Sequence, residues 1–254
     1  MSYTPLKSKK VPLNKNLNLT PSNRWKFVYN AENPTEEDSW VGCDLQCMQC
    51  LHFVKDKKNK VRQCKRKTCY TLPYCWFHLK TVLKVRIGPT TLCDSEGRKY
   101  KFLGLFACDP NYKGGNEGDK PPIVFRKGHI IAPYIGEKLS TAELNYRYPN
   151  PNEISIYGLQ TNKNNYIDAA CVRGVASFIN ACLPSNTILN KKCRINAKFG
   201  YSTSHYPSIK AQVNIRDGDE ILVSYGTSYY TKNSIFYPFK TTPASYYQKL
   251  NYKC

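Results

Sequence analysis

Cysteine and histidine crowd into residues 43–78, which hold six of the chain's twelve cysteines and two of its four histidines. The spacing is C-x3-C-x2-C followed by C-x4-C-x5-C-x2-H. A zinc ion takes four thiolate or imidazole ligands in a tetrahedron, usually as closely spaced pairs from two segments of chain. Cys75 and His78 form the firmest pair, because C-x2-H on a tight turn converges naturally. The stretch therefore predicts a structural zinc site.

The spacing leaves the other ligands of this site open. They are to be chosen from Cys43, Cys47, Cys50, Cys64 and Cys69. We rank Cys50 and Cys64 first and Cys47 with Cys69 second, and we expect two zinc ions if all the early cysteines serve as ligands. His52 is expected to be solvated. In a reducing compartment, clustered cysteines indicate a metal site rather than a disulfide framework.

Positive charge is the second feature that bears on chemistry. The chain carries a net charge of +20, and eight Lys or Arg lie within residues 55–67. A charge of this size favours polyanions such as phosphate backbones. Because the stretch lies between candidate zinc ligands, it would be presented as a pinned basic loop. We predict weak nucleic-acid contact without sequence preference through residues 55–67, and the alternative is a loop that is merely solvated.

The elements that must position these residues are mostly strands. From about residue 83 the chain consists of short β-rich runs separated by turn signals: "LKVRIG", "YKFLGLFA", "HIIAPYIG", "ISIYGLQ", "NYIDAA", "RINAKFG", "KAQVNI" and "EILVSYG". Asp217-Gly218 predicts a hairpin between the last two runs. Only two stretches look helical: "VRGVASFIN", and "STAELNYRY", in which Ser140 and Glu143 have capping-box spacing.

Composition divides the chain into four parts. They are a basic N-terminal arm (1–42), a Cys/His zinc module (43–80), a strand-rich domain (83–230) and an aromatic C-terminal segment (231–254). No stretch has the character of a signal peptide or a transmembrane helix, so we expect an intracellular protein with no membrane partner. The segment "RQCKRKTCYTLPYCWFH" resembles short zinc-binding modules that recur in large DNA viruses. A viral protein would act in the host nucleus, the viral factory or the virion.

Six segments of the strand-rich domain form an ordered set: "LGLFA", "FRKGHIIAPYIGE", "YIDAA", "GVASFINAC", "INAK" and "DGDEILVSYG". In this order they resemble the SET-domain protein lysine methyltransferases, over about residues 86–230. The resemblance implies a mainly β fold, the SET-domain β-clip, with a knot-like core formed by the segments around Asn180 and Tyr225. It also implies that S-adenosylmethionine is bound on one face and that the substrate lysine enters through a narrow channel from the other.

The family's cofactor-binding positions carry over residue by residue. In this chain they are Gly104, Leu105, Phe106, Tyr134, Phe178, Asn180, Ala181 and Tyr225, and the aromatic C-terminal segment is expected to add Tyr229 or Phe236 as a lid over adenine. Asn180 would hold the methionine portion of the cofactor. The chain departs from the family's motifs at Phe102, where a glycine is usual, at Ser177, where an arginine is usual, and at Ala181, where a histidine is usual.

The resemblance also implies which residues act on the substrate. Tyr225 matches the active-site tyrosine, and Tyr157 and Tyr166 are candidate walls of the lysine channel. Methyl transfer needs a neutral amine, and neutralising a free lysine near pH 7.4 costs roughly 4 kcal/mol. An apolar channel lowers that cost, and a tyrosine hydroxyl would orient the amine. Candidates for offsetting the positive charge where a basic substrate docks are Glu137, Asp168, Asp217, Asp219 and Glu220, and the alternative is that any of them is structural.

Two functions follow from these features. The first is an S-adenosylmethionine-dependent lysine methyltransferase that acts on a histone or another basic, lysine-rich protein and carries zinc in its N-terminal module. The alternative is a non-catalytic SET-like scaffold that binds nucleic acid or chromatin through the zinc module. Asn180 together with Tyr225 favours the enzyme, whereas the departures at Phe102, Ser177 and Ala181 favour the scaffold.

Overall fold

A computed structural model of the chain describes eight segments. They are residues 49–68, 72–92, 103–147, 157–162, 164–170, 172–182, 194–200 and 206–226. The expected N-terminal arm (1–42) and C-terminal segment (231–254) lie outside the described residues. Within the described segments, the helices are too short or too polar to cross a lipid bilayer.

Strands of two to five residues dominate these segments and pair into six small sheets. In chain order the strands are β1 Phe53–Lys55, β2 Val61–Gln63, β3 Val85–Pro89, β4 Leu103–Ala107, β5 Ile123–Phe125, β6 Ile130–Pro133, β7 Glu137–Ser140, β8 Gly158–Asn162, β9 Asn165–Asp168, β10 Asn180–Ala181, β11 Ala197–Gly200, β12 Ser208–Ala211, β13 Ile215–Arg216 and β14 Leu222–Val223. The sheets are β1-β2, β3-β4, β5-β13, β6-β12-β11, β7-β9-β8 and β10-β14. The prediction of a mainly β fold is confirmed.

Three helical elements accompany the strands: α1 Trp76–Leu83, α2 Thr141–Arg147 and a 3-10 helix at Val175–Phe178. The last two agree with the sequence. At α2, the Glu143 backbone N–H donates to Ser140 Oγ (3.2 Å) and the Ser140 N–H donates to the Glu143 carboxylate (2.8 Å), which is the predicted capping box. Helix α1 was not expected, so the prediction of only two helical stretches is wrong.

The apolar core is assembled from almost every sheet. Its largest fully buried members come from α1, β4, β9, β12, β13 and the approach to β14: Leu79, Leu105, Ile167, Ile209, Ile215 and Ile221. Burial of a side chain of this size stabilises a fold by roughly 1.5–3 kcal/mol. Because each strand is short, the packing of these side chains, more than the length of any hydrogen-bonded ladder, holds the small sheets together.

The segment around β14 runs between two earlier segments of chain. On one side it pairs in parallel with β10, and the Cys182 N–H donates to the Val223 carbonyl (3.0 Å). On the other side Asn196 clasps the backbone: its Nδ2 donates to the Glu220 carbonyl (2.8 Å) and its Oδ1 accepts from the Leu222 N–H (2.9 Å). This threading is the knot-like core that the sequence led us to expect.

The turn at Asp217-Gly218 forms, but its hairpin does not. Gly218 has a φ of 85°, and the Asp219 N–H donates to the Arg216 carbonyl (3.1 Å). The flanking strands, however, pair elsewhere: β13 with β5 and β14 with β10. The hairpin prediction is therefore wrong, because the turn signal fixes the reversal of the chain and not the partners of the strands.

Candidate functional site

Four side chains from three short segments converge on one buried point of the N-terminal module. They are Cys50, Cys64, Cys75 and His78, and their ligand atoms all lie within 4.8 Å of one another. His78 Nδ1 lies 3.2 Å from Cys50 Sγ and 3.4 Å from Cys75 Sγ. The structure thus brings together the four residues that the spacing ranks first.

The dimensions of this cluster suit a zinc ion. With Zn–S near 2.3 Å and Zn–N near 2.0–2.1 Å, tetrahedral geometry places a sulfur and a nitrogen about 3.6 Å apart and two sulfurs about 3.8 Å apart. The two measured S···N separations are within a few tenths of an ångström of that value. Three thiols and one imidazole also form a common donor set for structural zinc. Cys47 and Cys69, ranked second, lie outside the described residues.

Local structure affects these ligands differently, and burial raises the pKa of the Cys50 thiol. Cys75 is the N-cap of α1. Burial acts to raise the pKa of its thiol, but hydrogen bonds from the backbone N–H groups of His78 and Phe77 outweigh that effect and lower it. Burial lowers the pKa of His78, with a further contribution from the neighbouring His52 and Arg66. A thiol that ionises readily and an imidazole that stays neutral are the forms that bind zinc.

His52 belongs to the surroundings of this cluster. It is half-buried, and the centroid of its ring lies 4.2 Å from that of His78 and 6.1 Å from that of Tyr74. His52 is not one of the four clustered ligand residues, as expected, but it is partly buried and not fully solvated. Its ring covers the imidazole ligand on one side, which helps to keep water away from the ligand atoms.

A second polar cluster surrounds Asn180, deep in the strand-rich domain. The Asn180 Nδ2 group lies near three acceptors: the Glu220 carboxylate (3.0 Å), the Leu103 carbonyl (3.1 Å) and Thr90 Oγ1 (3.3 Å). Three acceptors around one atom fix which end of the amide is nitrogen. Among the described residues, no hydrogen-bond donor contacts the opposite atom, Oδ1. The amide is therefore oriented by the protein, with Oδ1 on the side away from these three acceptors.

The Glu220 carboxylate is the centre of this cluster. It is buried and accepts hydrogen bonds from Thr90 Oγ1 (2.7 Å), from the Thr91 N–H (2.6 Å) and from Asn180. All of these donors are neutral groups. Gly104 packs directly against it, since a Cβ at position 104 would lie 2.2 Å from Glu220 Oε1. Only glycine fits there.

Three of the five acidic residues do not face a basic substrate. Glu137, Asp168 and Glu220 are buried. The two at the surface bond to backbone amides: Asp217 accepts from the Asp109 N–H (2.7 Å) and Asp219 from the Arg216 N–H (2.7 Å). For the three buried residues the structural alternative holds, because each lies inside the domain.

An aromatic cavity of about 40 Å³ lies beside the residues that precede β10 and follow β14. It is lined by Tyr134, Tyr157, Gly158, Leu159, Ser177, Ile179, Phe199 and Tyr225. The Tyr225 hydroxyl donates a 2.6 Å hydrogen bond to the Ile179 carbonyl. Because Ile179 and Asn180 are consecutive, the cavity and the Asn180 cluster meet at one stretch of backbone.

The walls of this cavity are held by specific contacts. The Tyr134 hydroxyl donates to the Tyr157 carbonyl (2.9 Å), and the Tyr134 ring meets Phe199 edge-on, with centroids 5.7 Å apart. The buried guanidinium of Arg173 lies 4.3 Å from the ring centroid of Tyr157. Tyr157, a candidate wall, lines the cavity, whereas Tyr166, the other candidate, does not.

The remaining cofactor candidates are placed as follows. Leu105 and Phe106 are buried on β4, where Phe106 packs under the Arg86 guanidinium at 4.4 Å. Phe178 and Ala181 are buried on either side of Asn180 along the chain. Tyr229 and Phe236, expected as a lid, and the departure at Phe102 lie outside the described residues.

Residues 124–226 match the family model of the SET domain. The matched segment is 103 of the 254 residues and has the SET-domain fold; we refer to the strand-rich domain that contains it as the SET domain. Similar solved structures include ctPRC2 in complex with H3K27me3 (17% identity, TM-score 0.38), Chaetomium thermophilum Polycomb Repressive Complex 2 bound to GSK126 (22%, 0.36) and a crystal structure of Chaetomium thermophilum polycomb repressive complex 2 (20%, 0.36). Each likeness covers 56% of this chain and 14%, 16% and 15% of those chains, respectively, so this chain matches only a small part of their length. No curated protein matches the chain.

The segment that matches the SET-domain model includes Tyr134, Asn180 and Tyr225, but it begins after Gly104. The structure connects β4 to the SET domain through the bridge between Phe106 and Glu220 and through the hydrogen bond from the Ile221 N–H to the Leu105 carbonyl (2.8 Å). Sequence reasoning missed Thr90, Thr91 and Arg173 as members of these clusters. A charged residue opening the apolar run "EILV" does not by itself indicate burial, so no local signal identified Glu220 as buried.

Proposed function

We propose that this protein is an S-adenosylmethionine-dependent protein lysine methyltransferase. The observation that carries the proposal is the meeting of two sites at Ile179 and Asn180: an aromatic cavity closed by Tyr225 and an oriented amide beside a buried carboxylate. A methyltransferase needs such an arrangement, because the amine and the methyl donor must approach each other from opposite sides while water is kept out.

The residues around Asn180 fit the methionine portion of the cofactor. That portion carries an ammonium group, which is a hydrogen-bond donor, and Asn180 Oδ1 is an acceptor that no described residue contacts. The Glu220 carboxylate would complement a cationic ligand at this place. S-adenosylmethionine, when bound, supplies a methyl group on a positively charged sulfur. Gly104, Leu105, Phe106 and Ala181 would lie along the same binding region.

The cavity fits the side chain of lysine. Its aromatic and aliphatic walls suit the methylene chain, and burial among them lowers the pKa of an amine, because low polarity disfavours the charged form. The hydroxyl proton of Tyr225 is directed at the Ile179 carbonyl, which holds the hydroxyl group at the wall of the cavity. Tyr225 would orient the neutral amine for transfer, and Tyr157, whose ring packs on the Arg173 guanidinium, would form one wall of the channel.

The substrate that we propose is a lysine of a histone or another lysine-rich protein. This follows from the family resemblance and from a cavity that accepts one slender side chain. The intracellular location and the viral origin that the sequence suggests stay predictions. The non-catalytic scaffold remains the second candidate, favoured by the exposed basic residues of the N-terminal module.

Cofactor affinity and methyl transfer, measured separately, test the proposal. In Tyr225→Phe, we expect calorimetric affinity for S-adenosylmethionine to survive while transfer to a histone panel falls sharply. In Asn180→Ala, we expect the affinity itself to fall about tenfold or more, since a charge-assisted hydrogen bond contributes about 1.5–3 kcal/mol.

Tyr112→Phe and Asn111→Ala are matched controls, because they make comparable changes in the segment that follows β4, outside both clusters. Wild-type turnover in Tyr225→Phe would show that the catalytic role is misassigned. If the unmodified protein binds no S-adenosylmethionine, the scaffold function replaces the enzyme.

We also propose one structural zinc ion bound by Cys50, Cys64, Cys75 and His78, and contact between residues 55–67 and nucleic acid. All eight basic side chains of that stretch are exposed. Affinity should fall steeply with salt, because binding releases counterions from phosphates. Replacing Lys57, Lys58, Arg62 and Lys65 by Glu should flatten that dependence. An unchanged slope would mean that the stretch is only solvated.

A further inference from the structure

The outer face of the β1–β2 hairpin exposes apolar side chains. In the antiparallel register Phe53 faces Gln63 and Lys55 faces Val61, so these four residues share one face. Phe53 is 62% exposed and Val61 is 64% exposed, whereas Val54, on the opposite face, packs against the zinc-ligand cluster. Large apolar side chains grouped on an exposed face mark an interaction site.

The charge around this face selects the kind of partner. Eight Lys or Arg and one acid occupy residues 55–67. The acid is Asp56, whose Oδ1 accepts hydrogen bonds from the backbone N–H groups of Lys58 (2.8 Å) and Lys60 (3.0 Å) and so shapes the turn. An apolar face rimmed by exposed cations is complementary to a ligand that carries both flat apolar groups and phosphates.

Hydrogen bonds within the protein fix the position of the hairpin without a ligand. The Cys64 N–H donates to the His52 carbonyl (2.7 Å), and Gln63 Nε2 donates to the Cys50 carbonyl (3.0 Å). Cys50 and Cys64 lie at the base of the two strands and are candidate zinc ligands. A rigid surface loses little conformational entropy on binding, which favours affinity from a small contact area.

From these observations we propose that the hairpin binds single-stranded nucleic acid, with a base stacked on Phe53 beside Val61 and phosphates on the surrounding lysines. The proposal rests on the nucleic-acid contact proposed for residues 55–67 and adds base stacking to it. Single strands present the faces of their bases, which a duplex hides. An anionic membrane is the less suitable partner, because attachment there scales with buried apolar area and this face offers two apolar side chains.

Fluorescence anisotropy of the full chain, loaded with zinc, tests this. The probes are a labelled thymidine oligonucleotide of about 12 nucleotides and a duplex of the same length, titrated at several salt concentrations. Phe53→Ala should weaken single-strand binding about fivefold or more, leave duplex binding unchanged and leave the salt slope unchanged, because no charge is altered. Phe53→Trp should retain the affinity, and Ile130→Ala, which trims a side chain 59% exposed on β6, should have no effect.

Each outcome bears on a different part of the proposal. If Phe53→Ala binds the single strand normally while the Glu substitutions at Lys57, Lys58, Arg62 and Lys65 weaken it, stacking is wrong and the general contact stands. If neither variant weakens binding, both proposals fail. Tighter binding to vesicles of anionic phospholipid than to the oligonucleotide would also overturn stacking. Zinc content measured for every variant shows that the module is still folded.

Discussion

The N-terminal module and the SET domain differ in the side chains that fill their interiors. In the module, the buried apolar cluster consists of Cys50, Cys64 and Cys75, and large side chains such as Phe53 lie exposed. In the SET domain, apolar side chains from many strands form the core. The buried Glu220 carboxylate, which we call the carboxylate clamp, is hydrogen-bonded to Asn180 within this domain. A module that small buries little apolar surface, so the proposed zinc ion would supply much of its stability.

Helix α1 joins the two regions. His78 belongs to the Cys/His cluster, and the next residue, Leu79, is buried in the main core. The C-cap Lys84 adopts a left-handed conformation with a φ of 54°, and β3 follows at once. We therefore expect substitution of a Cys/His cluster residue to unfold only the N-terminal module. Substitution at Glu220 or its neighbours should instead destabilise the SET domain.

The largest effect should come from Cys75→Ser. Zinc binding supplies about 10–16 kcal/mol to small zinc modules at neutral pH, so losing a ligand should unfold residues 49–68. Hydrogen exchange checks this: the Cys64 amide should lose its protection by orders of magnitude, and the Ala107 amide should keep it. Cys108→Ser, which alters a cysteine outside the cluster, is the control. Equal loss at both amides would mean that the regions do not unfold separately.

A smaller but still severe effect is expected from Gly104→Ala in the SET domain. The added methyl would lie 2.2 Å from Glu220 Oε1 and 3.1 Å from Asn180 Nδ2, and neither can retreat without breaking its hydrogen bonds. We expect a loss of about 3 kcal/mol in the free energy of unfolding. Gly88→Ala, at the paired position on β3, is the matched control.

At position 88 the nearest atom would be the movable guanidinium of Arg86 at 2.9 Å, so we expect less than about 1 kcal/mol. Urea titration of both variants measures the difference. Equal losses would show that the carboxylate clamp is not what makes glycine necessary at position 104.

Glu220→Gln should have an intermediate effect, because it keeps the shape and replaces one acceptor oxygen by a donor. Every neighbour named at this carboxylate is a donor, so one hydrogen bond becomes a donor–donor contact. We expect about 2 kcal/mol of destabilisation. The same substitution at Glu143, in the exposed capping box of α2, should cost about 0.5 kcal/mol. If the two losses were equal, burial would not be the cause.

The sequence predicted what local spacing controls. The ligand spacing pointed first to the four residues that now converge, and Ser140 with Glu143 predicted the start of α2. The sequence-based predictions failed where contacts between distant parts of the chain determine the structure. Helix α1 contains Trp, Phe, Thr and Val, which are weak helix formers, and it is held between the zinc-ligand cluster and the core.

The burial of Glu220 was also beyond local spacing. Its partners Thr90 and Thr91 lie about 130 residues away along the chain. No local pattern in "EILV" distinguishes a buried carboxylate from a solvated one. The same limit explains the hairpin error, since the partners of β13 and β14 come from other parts of the chain.

Tyr225→Phe should have the smallest effect on folding. It removes one 2.6 Å hydrogen bond from the hydroxyl to the Ile179 carbonyl and keeps the ring that lines the cavity. A neutral hydrogen bond contributes about 1 kcal/mol net, so the free energy of unfolding in urea should fall by about that amount. Tyr112→Phe corrects for the general effect of losing a phenol group. Unlike Gly104 or Glu220, then, Tyr225 would carry chemistry with little share in stability. A loss near 3 kcal/mol would instead make its hydroxyl a clamp like theirs, and a fall in turnover could no longer be assigned to the orientation of the amine.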